Sequence, residues 1–262
     1  MSGFDFKYDF TGRKVLVTGA SRGIGLGVAE GFLEAGADLT ILSTGEAIET
    51  VAGELSEKHG RPVTGLVCDI AMREAVAAAV GGLERIDILV NNAGLELITP
   101  IDAAGREVEE TFRRIIDINV MGTYYVTREA LPKMGDGGRI IFTSSMWGKT
   151  AVAEFSAYCT SKHANLGFMR SLAQELAPRG ISVNAVCPGW VRTQASMRSL
   201  SAMAKREGRS EDDLLAEIVG AQAIDGLMEP RDMAATYLFL ASAAADNITG
   251  QAITVDRGET MQ

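Results

Sequence analysis

The sequence predicts an α/β fold: one parallel sheet, doubly wound, with helices on both faces. Three observations carry that expectation. Short apolar runs alternate with longer stretches of helical spacing from residue 14 to residue 90, the rhythm of βαβ units. The runs are apolar at nearly every position, not at every second one, as strands buried on both faces require. The rhythm resumes from residue 139 with no linker, internal repeat or low-complexity stretch in between, so 1–262 reads as a single domain with about seven strands.

The elements follow in order. Residues 14–18 form the first strand and run into glycines. Helical spacing over 24–35 stops at Gly36, a residue suited to the position just past a helix C-terminus. Strands are expected at 39–42, 63–68 and 86–90, separated by helices at 47–58 and 73–83. A long helical region, 107–134 with Pro132 near its end, leads to a fifth strand at 139–144. A helix at 156–177 precedes a sixth strand at 181–186. Between 192 and 229 the composition shifts to Ser, Met, Lys, Arg and Glu, too polar for a sheet unit, and reads as one or two mobile helices. A packed helix at 230–241 and a last strand at 251–255 close the chain.

Composition excludes several function classes. With 47% hydrophobic and 23% charged residues, the chain has the balance of a globular protein and not of a disordered one. Lys and Arg number 25 against 34 Asp and Glu, a net charge of −9 that repels nucleic acid and anionic membranes. The only histidines are His59 and His163, and the three cysteines, Cys68, Cys159 and Cys187, lack metal-ligand spacing, so no metal site is expected. Unpaired cysteines suit a reducing compartment. No signal-like or membrane-spanning apolar run is present, and the expected location is the cytoplasm.

The first chemical signal is the turn from Thr18 to Gly25, Thr-Gly-Ala-Ser-Arg-Gly-Ile-Gly, between a strand and a helix. Glycines there permit positive φ and close backbone approach, and the helix start offers free N–H groups and a positive dipole end. A pyrophosphate fits that environment. The spacing differs from the common G-x-G-x-x-G, with three residues between the first two glycines. Gly19 to Gly23 also matches the G-x-S-x-G elbow of hydrolases. That reading needs a histidine late in the chain on a loop, whereas His163 lies within a predicted helix and His59 comes early.

The second signal is Tyr158-Cys-Thr-Ser-Lys162 on the helix after the fifth strand. Residues four apart share a helix face, and a cation near a phenol favours phenolate, which suits proton exchange with an alcohol or carbonyl. An exposed Tyr and Lys at this spacing is common, so the company of the pair decides. Ser145 follows the fifth strand at the end where parallel sheets bind ligands. Asn119 sits within the long helical region, where a buried amide needs a partner.

Taken together, residues 10–258 resemble the short-chain dehydrogenase/reductase family, whose fold is of the Rossmann type. The matching pieces are Thr18 to Gly25, Asp69, Asn91-Asn92-Ala93-Gly94, Asn119, Ser145, Tyr158-x-x-x-Lys162 and Pro188-Gly189. The resemblance implies a nicotinamide cofactor and hydride transfer between a secondary alcohol and a ketone. It implies Tyr158 as general acid/base and Ser145 as the holder of the substrate oxygen. Lys162 would bind the nicotinamide ribose and lower the Tyr158 pKa, and Asn119 would hold a water for proton relay. Gly19, Ser21, Arg22, Gly23, Ile24 and Gly25 would cradle the phosphates. Asp69, beside Ile70, would meet the adenine, while Asn92, Ala93 and Gly94 line the adenosine side. Pro188, Gly189, Val191 and Thr193 would reach the nicotinamide end, with Tyr158 and Lys162. Residues 192–229 would be a substrate lid. The resemblance also implies a homotetramer through the helices around 107–134 and 156–177. One departure is Val255-Asp256-Arg257-Gly258, where many members have Val-Asp-Gly-Gly.

Ser43 and Thr44 stand where NAD-specific members carry an acidic residue, and Arg22 is available to a 2′-phosphate, so NADP is favoured with NAD as the alternative. The 3-hydroxybutyrate dehydrogenases of the family hold a carboxylate with groups that Glu96, Trp147 and Phe155 replace here. Glu96 would repel an anion, and Trp147, Phe155 and Trp190 would stack on a sugar ring or another flat or apolar body. The expected substrate is therefore a neutral polyol or sugar-like compound. The alternatives are that Glu96 points to solvent and that the aromatic residues only pack the lid. A hydroxy-acid dehydrogenase, a 3-oxoacyl carrier-protein reductase and a non-catalytic dinucleotide sensor stand as other readings. The carrier-protein reading needs a basic surface that Lys133, Arg139 and Arg179 are too sparse to supply.

Overall fold

The computed structural model describes residues 8–261. Seven strands, β1 (Lys14–Thr18), β2 (Asp38–Ser43), β3 (Val63–Val67), β4 (Ile86–Asn91), β5 (Met134–Thr143), β6 (Ser182–Pro188) and β7 (Ala252–Val255), form one sheet in the order β3-β2-β1-β4-β5-β6-β7. Every neighbouring pair is parallel. The winding reverses between β1 and β4, and the crevice beyond the carboxyl ends of those two strands is where a doubly wound sheet binds its ligand.

Alternate side chains of each strand feed separate cores. Val15 and Val17 of β1 pack with Val28 and Phe32 of α1 (Gly23–Glu34), Ile48 of α2 (Ala47–His59) and Tyr237 of α9 (Ala234–Ala241). Leu16 points the other way, into a core with Val76 of α3 (Arg73–Gly81), Val126 of α5 (Thr123–Ala130) and Leu166 and Met169 of α6 (Ser156–Leu176). This two-sided burial is why the inner strands read as continuous apolar runs. β3 is an edge strand and only partly buried. A third apolar cluster caps the carboxyl end of the sheet, joining Trp147, Phe155 and Trp190 to Leu200 and Ala204 of α7 (Gln194–Glu207) and Leu214 of α8 (Glu211–Gly220).

Two spans differ from the sequence-based expectation. The region 107–134 is not one helix. It is α4 (Arg106–Ile116), a π-helical turn (Asp117–Gly122), α5, and a 3₁₀ turn (Leu131–Lys133) whose first residues accommodate Pro132. β5 starts at Met134, because the glycine-rich stretch before Arg139 still pairs with β4 through a register shift. The segment 192–229, expected to hold one or two helices, holds two, and both are capped. Thr193 and Ser196 form a capping box for α7, Gly208 ends it at φ 66°, and Ser210 caps α8. All three cysteines are free and buried. Among the described residues, no helix is long and apolar enough to cross a membrane.

Candidate active site

The glycine turn and the loop after β4 are pressed together at the reversal point. Gly19 has φ 66°, and a Cβ there would lie 2.7 Å from the Ala93 Cα. A Cβ on Gly25 would lie 2.4 Å from both the Gly19 carbonyl oxygen and Asn92 Nδ2. Only glycine allows this approach. Thr18 stitches the two segments, its Oγ1 accepting from the backbone N–H groups of Asn92 and Ala93, both at 3.0 Å. Asn92 Nδ2 returns bonds to the Thr18 and Gly19 carbonyls at 2.9 and 3.2 Å. α1 then begins with no side-chain cap and no acidic residue in its first turn. Its free N–H groups and positive dipole end face the cleft, so this cradle fits a dinucleotide pyrophosphate.

The cleft runs from Ser43, Thr44 and Asp69 at one end to Trp147 and Trp190 at the other. Burial acts to raise the Asp69 pKa. Hydrogen bonds from Arg114 Nη2 at 2.9 Å and from the Ala71 N–H at 3.0 Å outweigh it and hold the carboxyl below its ordinary value. Ser21 and Ser43 share a hydroxyl contact of 3.1 Å, and Arg22 is exposed beside them.

At the far end the side chains expected to react converge. Ser145 has extended backbone and caps a 3₁₀ turn (Met146–Gly148), its Oγ accepting from the Trp147 N–H at 3.1 Å. Tyr158 and Lys162 lie one turn apart on α6. Lys162 is 3% exposed, and its Nζ donates to the Thr143 carbonyl at 2.7 Å and sits 5.4 Å from the Tyr158 ring centroid. Asn119, fully buried in the π-helical turn, clamps the β4 loop to α6. Its Oδ1 accepts from the Leu95 N–H at 2.7 Å, and its Nδ2 donates to the Leu95 carbonyl and to Ser161 Oγ, both at 2.9 Å.

Glu96 faces this end of the cleft. Its carboxyl is raised by burial, against a bond from Ser199 and the charges of Arg198 and Lys162. Arg198 Nη2 also donates to the Glu96 carbonyl at 2.8 Å, so α7 closes on this residue from above. Burial pushes the Tyr158 phenol well up, the Glu96 carboxylate adds to that, and Ser145 opposes it. Burial lowers Lys162 to about 8, with Glu96 acting the other way. The phenol's net shift is therefore upward, burial outweighing what lowers it, where the sequence leads one to expect a lowered value. The Lys162 ammonium is itself desolvated and gives one of its three donors to the Thr143 carbonyl over the ring face.

A family model described as "Enoyl-(Acyl carrier protein) reductase" matches residues 19–260. The chain belongs to the short-chain dehydrogenase/reductase family. It is 38% identical over 261 residues to Oxidoreductase UcpA of Salmonella typhimurium, covering 96% of this chain and 95% of the relative. It is 33% identical over 262 residues to D-beta-hydroxybutyrate dehydrogenase of Cupriavidus necator, covering 96% and 99%. Among solved structures it is similar to L-sorbose reductase from Gluconobacter frateurii, complexed with NADPH and L-sorbose, at a TM-score of 0.88 and 28% identity over 98% and 99% of the two chains. This short-chain dehydrogenase/reductase is an NAD(P)-dependent oxidoreductase with a Rossmann-type fold.

Most of the residues singled out in the sequence line the one cleft: Gly19, Ser21 to Gly25, Ser43, Thr44, Asp69, Ile70, Asn92 to Gly94, Glu96, Ser145, Trp147, Tyr158, Lys162, Pro188, Gly189, Trp190, Val191 and Thr193. Asn119 lies behind its wall. Phe155 is a correction: it is fully buried, 5.2 Å from Trp147 between ring centroids, and has no face on the cleft. It supports Trp147 from behind and has no surface to offer a substrate.

Sequence reasoning missed several groups in this oxidoreductase. Thr143 receives Lys162 on its carbonyl, and its hydroxyl contacts Asn92 Oδ1 at 3.1 Å and Tyr237 at 2.7 Å. Its place two residues before Ser145 was the available signal. Nothing in the sequence marks Tyr237, which arrives from α9. Arg114, Arg198 and Ser199 meet the site from helices whose exposed faces carry many similar residues.

Proposed function

We propose that this enzyme interconverts a secondary alcohol and a ketone on a neutral polyol or sugar-like substrate, with NADP(H) preferred. The observation that carries the reading is the convergence of Ser145, Tyr158, Lys162 and Glu96 at one end of a cleft whose other end is a phosphate cradle. The nicotinamide cofactor, held by the glycine turn, the Asn92–Gly94 loop and Lys162, supplies the site for hydride transfer. Ser145 Oγ holds the substrate oxygen. The Tyr158 phenol donates its proton to a developing alkoxide, and in the oxidative direction its phenolate, which burial disfavours, takes the proton from the alcohol. Lys162 holds the ribose, and Asn119 keeps the β4 loop in register with α6 while serving the proton path behind it.

Substrate choice rests on Glu96 and the two tryptophans. A carboxylate at this point accepts hydrogen bonds from hydroxyls beside the reacting carbon, and Trp147 and Trp190 give the pocket flat apolar walls. The likeness to a sugar reductase supports this reading. A second reading, a hydroxy acid, draws on Arg198 at the pocket edge and on the hydroxybutyrate relative. Against a carrier-protein substrate, Arg139 and Arg179 pair with Asp246 and Asp136 and present no basic patch.

NADP is preferred because Ser21, Arg22, Ser43 and Thr44 supply donors at the ribose end of the cleft, where the one carboxylate, Asp69, is paired with Arg114. Residues 192–229 act as the lid within a single catalytic domain. A homotetramer through α4, α5 and α6 would cover Met121 and Tyr124, which are 38% and 37% exposed. The test is an oxidation and reduction screen of polyols, sugars and hydroxy acids with NADP(H) and NAD(H), on wild type and Glu96→Gln. Expected are higher kcat/KM with NADP(H), a polyol or sugar as the best substrate, and a KM for it raised several-fold by Glu96→Gln. A small hydroxy acid as the best substrate would overturn the reading of the pocket.

A further inference from the structure

Among the described residues, two that are not glycine adopt positive φ: Glu154 at 68° and Arg257 at 55°. They lie about a hundred residues apart in sequence and on different elements, yet both side chains reach the same segment. Glu154 Oε1, in the loop before α6, accepts from Arg206 Nε of α7 at 2.9 Å and also from Arg206 Nη2. Arg257, in the turn after β7, donates from Nη1 to the Asp225 carbonyl at 2.7 Å, and its own carbonyl accepts from the Ile224 N–H at 2.9 Å. The base of this segment is closed separately, by the Arg192–Glu229 ion pair at 2.9 Å and the Arg192 N–H on the Met228 carbonyl at 2.8 Å.

Glycine occupies such backbone conformations without steric penalty, whereas an L-residue with a Cβ does not. A residue other than glycine there costs folding energy, and both residues bond to the covering segment, Glu154 also accepting the Thr99 N–H on its carbonyl at 2.6 Å. We propose that Glu154 and Arg257 are positioning residues for the segment that covers the substrate end of the cleft, Glu154 holding α7 there and Arg257 holding the 222–226 stretch by which that segment returns to the body of the protein. Glu154 anchors the outer flank of α7, and Arg257 anchors the return after α8. Held there, α7 keeps Arg198 and Ser199 on Glu96. Neither anchor touches the reacting atoms. The proposal rests on the reading of 192–229 as the cover of the site.

A strained anchor has a signature that an ordinary packing residue lacks. Its replacement by glycine relieves the backbone while releasing the lid, so stability and substrate affinity move apart. Glu154→Gly and Arg257→Gly are expected to leave Tm unchanged or raised. KM for the best alcohol substrate should rise threefold or more, with kcat and the NADPH dissociation constant within twofold. Limited proteolysis should cut within 194–226 faster in both variants. Glu154→Gln, which keeps the backbone strain and removes the charge, should raise KM with no gain in Tm. The exchanged pair Glu154→Arg with Arg206→Glu should return KM toward wild type. A lower Tm with unchanged KM and unchanged cleavage would mean that both residues serve only local structure, and the proposal fails. A wild-type enzyme that turns over no alcohol or ketone, yet shows faster cleavage in the glycine variants, would overturn the activity reading and leave the anchors standing.

Discussion

The two ends of the cleft are built by different means. At the cofactor end, geometry comes from main chain and short side chains locked within the sheet: Gly19 against Ala93, Gly25 against Asn92, and Thr18 bonded across β1 and β4. At the substrate end it comes from large or charged side chains carried by helices outside the sheet, with Trp147, Trp190, Glu96, Arg198 and Ser199 meeting under α7. Backbone contact tolerates almost no substitution, so the first end is written as a motif. Side-chain packing has many solutions, so the second end leaves no fixed motif to read.

The sharpest way to break this comparison is at the residue where the two ends meet. Tyr158→Phe keeps the ring in place and removes the only hydroxyl proposed to move a proton. Turnover should fall by roughly 10²–10⁴-fold, the usual range for losing a general acid, while NADPH binding by fluorescence changes little. Turnover within tenfold of wild type would take the chemistry away from this phenol.

Gly25→Ala tests the backbone end. The added methyl meets the Gly19 carbonyl oxygen and Asn92 Nδ2 at 2.4 Å, and neither the carbonyl nor the clamped amide has room to retreat. Cofactor affinity should drop by about tenfold or more, with stability lower by roughly 1–3 kcal/mol, the usual penalty for overpacking. Isothermal titration with NADPH and a thermal melt check both numbers. Unchanged affinity would show that the cradle is looser than its contacts imply.

The same contrast explains what the sequence made legible. Strands such as Leu39–Leu42 and Ile86–Val90 announce themselves because both faces are buried, and Tyr158 and Lys162 do so because helical spacing puts them on one face. The π-helical turn around Asn119 is invisible to periodicity, since it arises from side-chain bonds to Leu95 and Ser161 that exist only in the folded chain. The place of Phe155 in the chain suggests a substrate contact, but its depth is set by α7 and α8 packing over it. The direction of the Tyr158 shift was also out of reach, because spacing says how near Lys162 lies and not how dry both groups become.

Lys162 gives that dryness a pH signature. Burial holds its ammonium at about 8 against an ordinary 10.5. Between those values the unfolded chain binds more protons than the folded one, so folding stability gains as pH rises from about 8 toward 10.5, and the full cost of the buried charge is present below 8. Lys162→Met removes the charge at every pH and gives up the bond to Thr143 at every pH. The Tm of the variant relative to wild type should therefore decline as pH is raised from 7 to 10, by a few degrees in thermal melts. A difference independent of pH would mean that the amine is solvated.

The smallest expected effect sharpens the comparison within the substrate end itself. Phe155 and Trp147 pack ring to ring, but only Trp147 lines the cleft. Phe155→Leu removes part of a fully buried ring and leaves a small void behind the tryptophan, at a cost of about 1–2 kcal/mol in stability. Because Phe155, unlike Trp147, does not line the cleft, kcat/KM should stay within about twofold of wild type. Trp147→Phe reverses the pattern. It shrinks the wall of the pocket, and substrate KM should rise more than with Phe155→Leu even where the two melts are alike. Parallel melts and substrate titrations of the two variants separate depth from contact. If Phe155→Leu moves KM as much as Trp147→Phe does, the pocket wall yields as a unit, and the distinction between a residue that touches the substrate and one that supports its neighbour does not hold at this end of the cleft.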